Sequence, residues 1–155
     1  MGNPILNTKL YAKVTGVVLA LVAVLGAIFS LANDGAFIDN FLAFDWTHNV
    51  VHFVLAAVAL YIGFMATGNL ANLYAKAFGI VYLALGVVGF IPAVNDALAS
   101  ALLLEIELGE NLVHLLIGAW GIAAGFFGTA TGAPSPGMGT TGTTGKTMTT
   151  TGRNK

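Results

Sequence analysis

The sequence predicts an all-α membrane protein in which four transmembrane helices are built as a tandem repeat of two-helix units. Three observations lead to this prediction: an apolar composition, four apolar segments of spanning length, and a repeated sequence pattern. Of the 155 residues, 57% are hydrophobic and 8% are charged. Because a soluble domain carries about 25% charged residues, most of this chain's surface is expected to meet lipid.

The predicted spans cover residues 14–31, 47–67, 73–94 and 108–129. Each has about the 20 residues that cross ~30 Å of hydrocarbon, and each is expected to be helical because lipid offers no partner to free backbone groups. The first span follows Lys9 and Lys13, as a signal peptide would. Its apolar run is longer than the core of a cleaved signal, so we expect it to be retained.

The two outer connections, residues 33–46 and 95–107, are rich in apolar side chains. Such segments between spans are expected to form short helices that lie at the membrane interface. From residue 130 to 155 the composition changes to Gly, Thr, Pro and Ser. This segment has too little apolar surface to offset its ordering entropy, so a flexible tail is predicted.

The charged residues separate by sign across this four-span arrangement. The basic residues are Lys9, Lys13, Lys76, Lys146, Arg153 and Lys155, in the N-terminal segment, the middle loop and the tail. The acidic residues are Asp34, Asp39, Asp45, Asp96, Glu105, Glu107 and Glu110, in or beside the other two connections. The positive-inside rule therefore predicts a multi-pass protein of the cell membrane with both termini in the cytoplasm.

The chain also repeats itself, because residues 11–18 (YAKVTGVV) return as 74–81 (YAKAFGIV) and 49–52 (NVVH) as 111–114 (NLVH). The predicted repeat units are about 11–68 and 74–130, within a transmembrane domain of residues 1–129. Each unit holds two spans and returns the chain to its starting side. The units are then parallel repeats related by a pseudo-two-fold axis along the membrane normal.

Small and polar residues form one stripe on each of the second and fourth spans, at helical spacing. The stripes are His48, His52, Ala56, Ala59, Gly63 and Ala66, and Glu110, His114, Gly118, Gly121, Gly125 and Gly128. Because small residues let membrane helices approach closely, these two spans are expected to pack together. His52 and His114 would then face each other at equal depth near the axis.

Ionisable groups inside a span rarely face lipid, and three interpretations of these histidines are open. The first is a structural hydrogen-bonded clasp of Asn49, His52, Asn111 and His114. The second is a metal or tetrapyrrole site, for which His48, His52, Glu110 and His114 supply nitrogen and oxygen ligands. The third is proton transfer or small-molecule binding.

Three segments carry a family resemblance: 47–52 (THNVVH), 74–89 with its GIVYLALG core, and 111–118 (NLVHLLIG). Together they resemble domain-of-unknown-function family 4383, small four-span membrane proteins of bacteria and archaea. The resemblance extends over about residues 11–128. It implies the same four-span topology, and it implies no activity because the family has none assigned.

The sequence contains no cysteine and no recognisable nucleophile–base pair, phosphate-binding loop or carboxylate dyad. The first functional hypothesis is therefore a non-enzymatic interaction or accessory component that needs no cofactor. Its expected partners are the lipid bilayer and a homo-oligomer or larger membrane complex, and a net charge of −1 gives no attraction for nucleic acid. The second hypothesis is a histidine-based metal- or haem-binding membrane protein.

The charge separation makes a direct prediction about topology. Reporter fusions placed after Lys76 and after Thr131 should give a cytoplasmic signal, and fusions at Asp39 and Asp96 should give an external one. Cytoplasmic signals from both acidic connections would contradict the four-span arrangement.

Overall fold

The computed structural model describes residues 3–32, 36–38, 42–43, 46–102 and 107–129. In chain order the elements are a 3-10 turn (Pro4–Leu6), α1 (Thr8–Ala32), β1 (Ala36–Ile38), β2 (Leu42–Ala43), α2 (Trp46–Phe64), α3 (Gly68–Val88), α4 (Pro92–Leu102) and α5 (Leu108–Phe127). Helices α1, α2, α3 and α5 are long and apolar enough to cross a membrane. The predicted all-α fold with four membrane-capable helices is confirmed.

The outer faces of these helices carry large apolar side chains. Leu21 is 58% exposed, Phe53 66% and Leu116 72%. Soluble proteins scatter such residues singly, whereas a continuous apolar surface marks a face that meets another apolar phase. The exposed faces therefore suit acyl chains, and this is the surface of a membrane protein.

The helices pack as two tight antiparallel pairs, α1 with α2 and α3 with α5. In each pair, corresponding glycines allow the two helix backbones to lie very close together. A Cβ atom at Gly63 would lie 2.8 Å from the backbone nitrogen of Lys13, and one at Gly125 would lie 2.8 Å from that of Lys76. The two pairs thus repeat the same close backbone approach, as expected for a tandem repeat of two-helix units.

The expectation that the second and fourth spans pack together along their small-residue stripes is wrong. The stripe of α5 faces α3, where Cβ atoms at Gly118 and Gly121 would collide with Leu83 and with Gly79. The stripe of α2 likewise faces α1. A glycine face permits close approach by any helix, and here each stripe packs on the other helix of its own repeat.

The two outer connections differ from each other. The described part of the first is a short antiparallel ladder of β1 and β2, so the predicted helix is wrong there. Aromatic and β-branched residues such as Phe37 and Ile38 favour strands. The second connection does contain a helix, α4, which starts at Pro92 because proline fits the first helical turn.

The N-terminal 3-10 turn is tied to the end of α5, which the sequence did not indicate. The indole nitrogen of Trp120 donates to the carbonyl of Ile5 at 2.8 Å, and Asn7 forms a parallel bridge with Thr129. The Asn7 side chain also accepts from the backbone nitrogen of Lys9 at 2.9 Å and so caps α1. The predicted tail, residues 130–155, lies outside the described residues.

The glycine contacts predict a strong position effect on α5. Gly118→Val should lower the thermal stability of the detergent-solubilised protein, by about 1–3 kcal/mol or more, because overpacking against the α3 backbone forces the helices apart. Ala119→Val, on the neighbouring exposed position, is the matched control and should change stability little. Equal effects of the two variants would contradict the packing described here.

Candidate functional site

All three histidines of the chain are buried, and they meet at one place in the bundle. One possible ligand atom from each of His48, His52 and His114 lies within 4.8 Å of the others. His48 and His52 are one helical turn apart at the start of α2, with ring centroids 4.3 Å apart. The His114 ring comes from α5, and its centroid is 6.5 Å from that of His48.

Glu110 joins this cluster as a buried carboxylate. Its Oε1 lies 3.1 Å from Nδ1 of His48, and its Oε2 accepts from the backbone nitrogen of Glu107 at 3.4 Å. This second contact belongs to a capping box, in which an acidic residue in the first turn reaches back to the start of its helix. The N-terminus of α5 therefore holds the carboxylate and points it at His48.

The cluster lies where the two repeats meet. When the two repeats are aligned, His48 corresponds to Glu110 and His52 corresponds to His114. The cluster therefore brings together two pairs of equivalent residues. Tyr11 and Tyr74 are also equivalent, and their rings lie 6.1 Å apart between α1 and α3. The pseudo-two-fold axis thus has an aromatic contact towards one end and the histidine–glutamate cluster towards the other.

The two asparagines do not join the histidines in the predicted clasp. Asn49 donates to the Ser30 hydroxyl of α1 at 3.1 Å, and Asn111 packs its side-chain oxygen against Gly89 after α3. Within the described parts of the chain, no hydrogen bond connects Asn49, His52, Asn111 and His114. Nδ1 of each of these two histidines is buried with no hydrogen-bond partner, so each could still take a ligand or a water.

A cavity of about 470 Å³ adjoins the cluster, between α2 and α3. The three histidines lie at one end of it, and aliphatic side chains from both helices line much of the rest. Tyr74, Phe78 and Tyr82 form its aromatic wall, with successive ring centroids 4.8 and 4.2 Å apart. The ring of Tyr82 also meets the edge of His114 at 4.9 Å, so the wall leads directly to the cluster.

The three imidazoles form a ligand set that suits Zn²⁺, Cu²⁺ or Fe²⁺, and the Glu110 carboxylate contacts one of them, His48. A tetrahedral ion at 2.0–2.1 Å holds its ligand nitrogens ~3.4 Å apart. The ligand atoms of the three histidines lie within 4.8 Å of one another, so the rings must move up to ~1.4 Å closer together to bind such an ion. A carboxylate on the Nδ1 edge of a histidine is also the arrangement that fixes the ring orientation of metal ligands.

Comparisons of the chain with models of known families, with curated proteins and with solved structures find no match. The resemblance to the four-span family therefore stays a prediction. The candidate site rests on its own geometry, which brings together all four residues predicted as metal ligands.

The sequence did not indicate the cavity or its aromatic wall. The i, i+4 spacing of Tyr74, Phe78 and Tyr82 would have predicted a shared helix face, but shared faces are commonly filled by a neighbouring helix. Here α2 and α3 touch little, and this sparse contact leaves the space.

The pairing of His48 with Glu110 predicts a measurable coupling. In the presence of a chelator, Glu110→Ala and His48→Ala should each reduce the free energy of unfolding, and the double variant should lose about 0.5–3 kcal/mol less than the sum. Asp96→Ala removes an exposed carboxylate on α4, outside the cluster, and is the control; its combination with His48→Ala should be additive. Additive losses for the first pair would contradict a direct contact.

Proposed function

We propose that this chain is a metal-binding protein of the cell membrane, with both termini in the cytoplasm. His48, His52 and His114 bind a divalent transition-metal ion, and Glu110 supports the site through His48. The observation that carries this proposal is the convergence of every histidine of the chain at one buried point. Two of the three present a buried ring nitrogen that lacks a hydrogen-bond partner among the described residues.

The charge of Glu110 supports a cation at this point. A carboxylate buried inside a span is costly unless a positive charge neutralises it. Among the described residues, Lys13 and Lys76 place their ammonium groups over the rings of Phe64 and Phe126, at 4.7 and 5.1 Å. These contacts lie at the opposite end of the helix pairs, whereas His48 lies 3.1 Å from the carboxylate. A metal ion bound through the His48 ring would therefore place positive charge close to Glu110.

The separation of the two lysines from Glu110 also supports the proposed orientation, with both termini in the cytoplasm. Lys13 and Lys76 lie near the N-terminal ends of α1 and α3, and Glu110 lies at the N-terminal end of α5. Because successive spans run in opposite directions, the lysines and the glutamate belong to opposite ends of the bundle. By the positive-inside rule the lysine end is cytoplasmic, and the histidine cluster lies towards the outer side.

If the chain were an accessory protein that binds no metal, these histidines would serve only as a structural contact between helices. That alternative is less favoured because an unsatisfied buried polar atom costs about 1–3 kcal/mol. The haem version of the second hypothesis is also less favoured. Three imidazoles that converge on one point suit a small ion, whereas a porphyrin places its axial ligands on opposite faces of the ring.

Elemental analysis and an absorption spectrum of the purified protein test the proposal. The protein is purified through a tag without histidine and incubated with Zn²⁺, Cu²⁺ or Fe²⁺, and unbound metal is removed. We expect about one ion per chain and no Soret band. A Soret band would favour haem, and metal-free protein after every incubation would contradict the proposal.

Single variants locate the ion. His52→Ala and His114→Ala should each lower metal content at least tenfold, because loss of one of three protein ligands leaves too few nitrogens. Thr47→Ala and Val113→Ala are exposed neighbours and should bind metal as the wild type does. Unchanged metal content in both histidine variants would place the ion elsewhere.

A further inference from the structure

The bundle contains two equivalent grooves, and only one of them is wide. The cavity between α2 and α3 holds about 470 Å³, and the corresponding pocket between α1 and α5 holds about 90 Å³. Equivalent residues line the two, since Val51, Val81 and Leu85 of the first correspond to Val113, Val18 and Val22 of the second. Both reach His52 and His114.

One pair of equivalent residues differs in volume in the direction that opens the wide groove. Trp120 of α5 occupies the narrow groove, where its ring meets Tyr11 edge-on at 5.1 Å, and its indole nitrogen is tied to Ile5. Val58 of α2 is the corresponding residue in the wide groove. The smaller side chain leaves space beside Tyr74, the equivalent of Tyr11.

The wide groove has the dimensions of a lipid chain. From His48 to Val58 it follows α2 for ten residues, or ~15 Å at 1.5 Å per residue. This is about half of the ~30 Å hydrocarbon thickness. Val51, Val58 and Val81 line it and are 38–53% exposed, so the groove is accessible from the lipid side. Its histidines are at one end.

The charge of the metal site indicates which chemical group binds at the histidine end of the groove. A divalent ion beside three neutral imidazoles and the Glu110 carboxylate leaves a net charge of +1. A low-dielectric environment favours a neutral site, and one further carboxylate achieves this. A carboxylate is also a good ligand for the open position that three-histidine sites retain.

We propose that the wide groove binds a long-chain fatty acid, with the chain between α2 and α3 and the carboxylate at the histidine-bound ion. This inference rests on the proposed metal site. It adds the class of ligand, and it explains why one of two equivalent grooves is open.

Photo-crosslinking in nanodiscs tests it. Metal-loaded wild-type protein is labelled with a diazirine derivative of palmitate, and palmitate, methyl palmitate and hexadecane compete. Labelled peptides should come from the groove walls around Leu55, Val58 and Val81. Palmitate should compete at least about tenfold better than its methyl ester, because only the acid carries the charge that the ion attracts. After chelation that preference should fall to about twofold or less.

Val58→Trp places in the wide groove the residue that fills the narrow one. It should lower labelling at least fivefold while metal content stays at the wild-type level. Val54→Trp, on an exposed part of α2 outside the groove lining, is the control and should label normally. The competition series uses wild-type protein only, so it decides the proposal even if Val58→Trp does not fold.

The outcomes separate the two proposals. Metal-free wild-type protein contradicts the metal site itself, whatever the labelling shows. Metal-loaded protein with unsaturable labelling contradicts the fatty-acid site alone, since bulk lipid then competes equally for the groove. Equal competition by the acid and its ester contradicts contact between the carboxylate and the ion.

Discussion

The close backbone approach within each helix pair is the constraint on which the rest of the structure depends. Glycines bring α1 against α2 and α3 against α5 so tightly that side chains such as Leu60 and Leu115 are in contact with the facing helix. Each pair is therefore a packed unit by itself. Contacts between the pairs are fewer, and the space that they leave contains the axis, the histidine cluster and the two grooves.

Much of the fold could be predicted because lipid simplifies the relation between sequence and structure. In lipid, an apolar run of about 20 residues must be helical and is long enough to span, and the separation of charges predicts four spans. The partner of each helix could not be predicted in the same way. Gly118 and Gly121 indicate that some helix approaches closely, but they do not indicate that α3 is that helix. The strands of the first connection were missed because a short apolar segment suits either structure.

The site residues could be predicted because the repeat relates them. Equivalent positions in parallel repeats lie at equal depth around one axis, so His52 and His114 were expected together. The position of Asn49 was not predictable, since its bond to Ser30 depends on how α1 ends. The wide groove could not be predicted from the sequence either. Val58 and Trp120 differ in volume at equivalent positions, and that difference matters only once the helix positions are known.

The pairing of His48 with Glu110 has a consequence for the symmetry of the molecule. In a two-fold homodimer of a single two-helix unit, a residue beside the axis meets its own copy, so histidine would face histidine or glutamate would face glutamate. Two like carboxylates at such a distance repel each other. Joining the two units in one chain removes that restriction, because each half can then carry a different residue at the shared position. The covalent duplication thus permits an acid and a base to meet at the centre of an otherwise symmetric bundle.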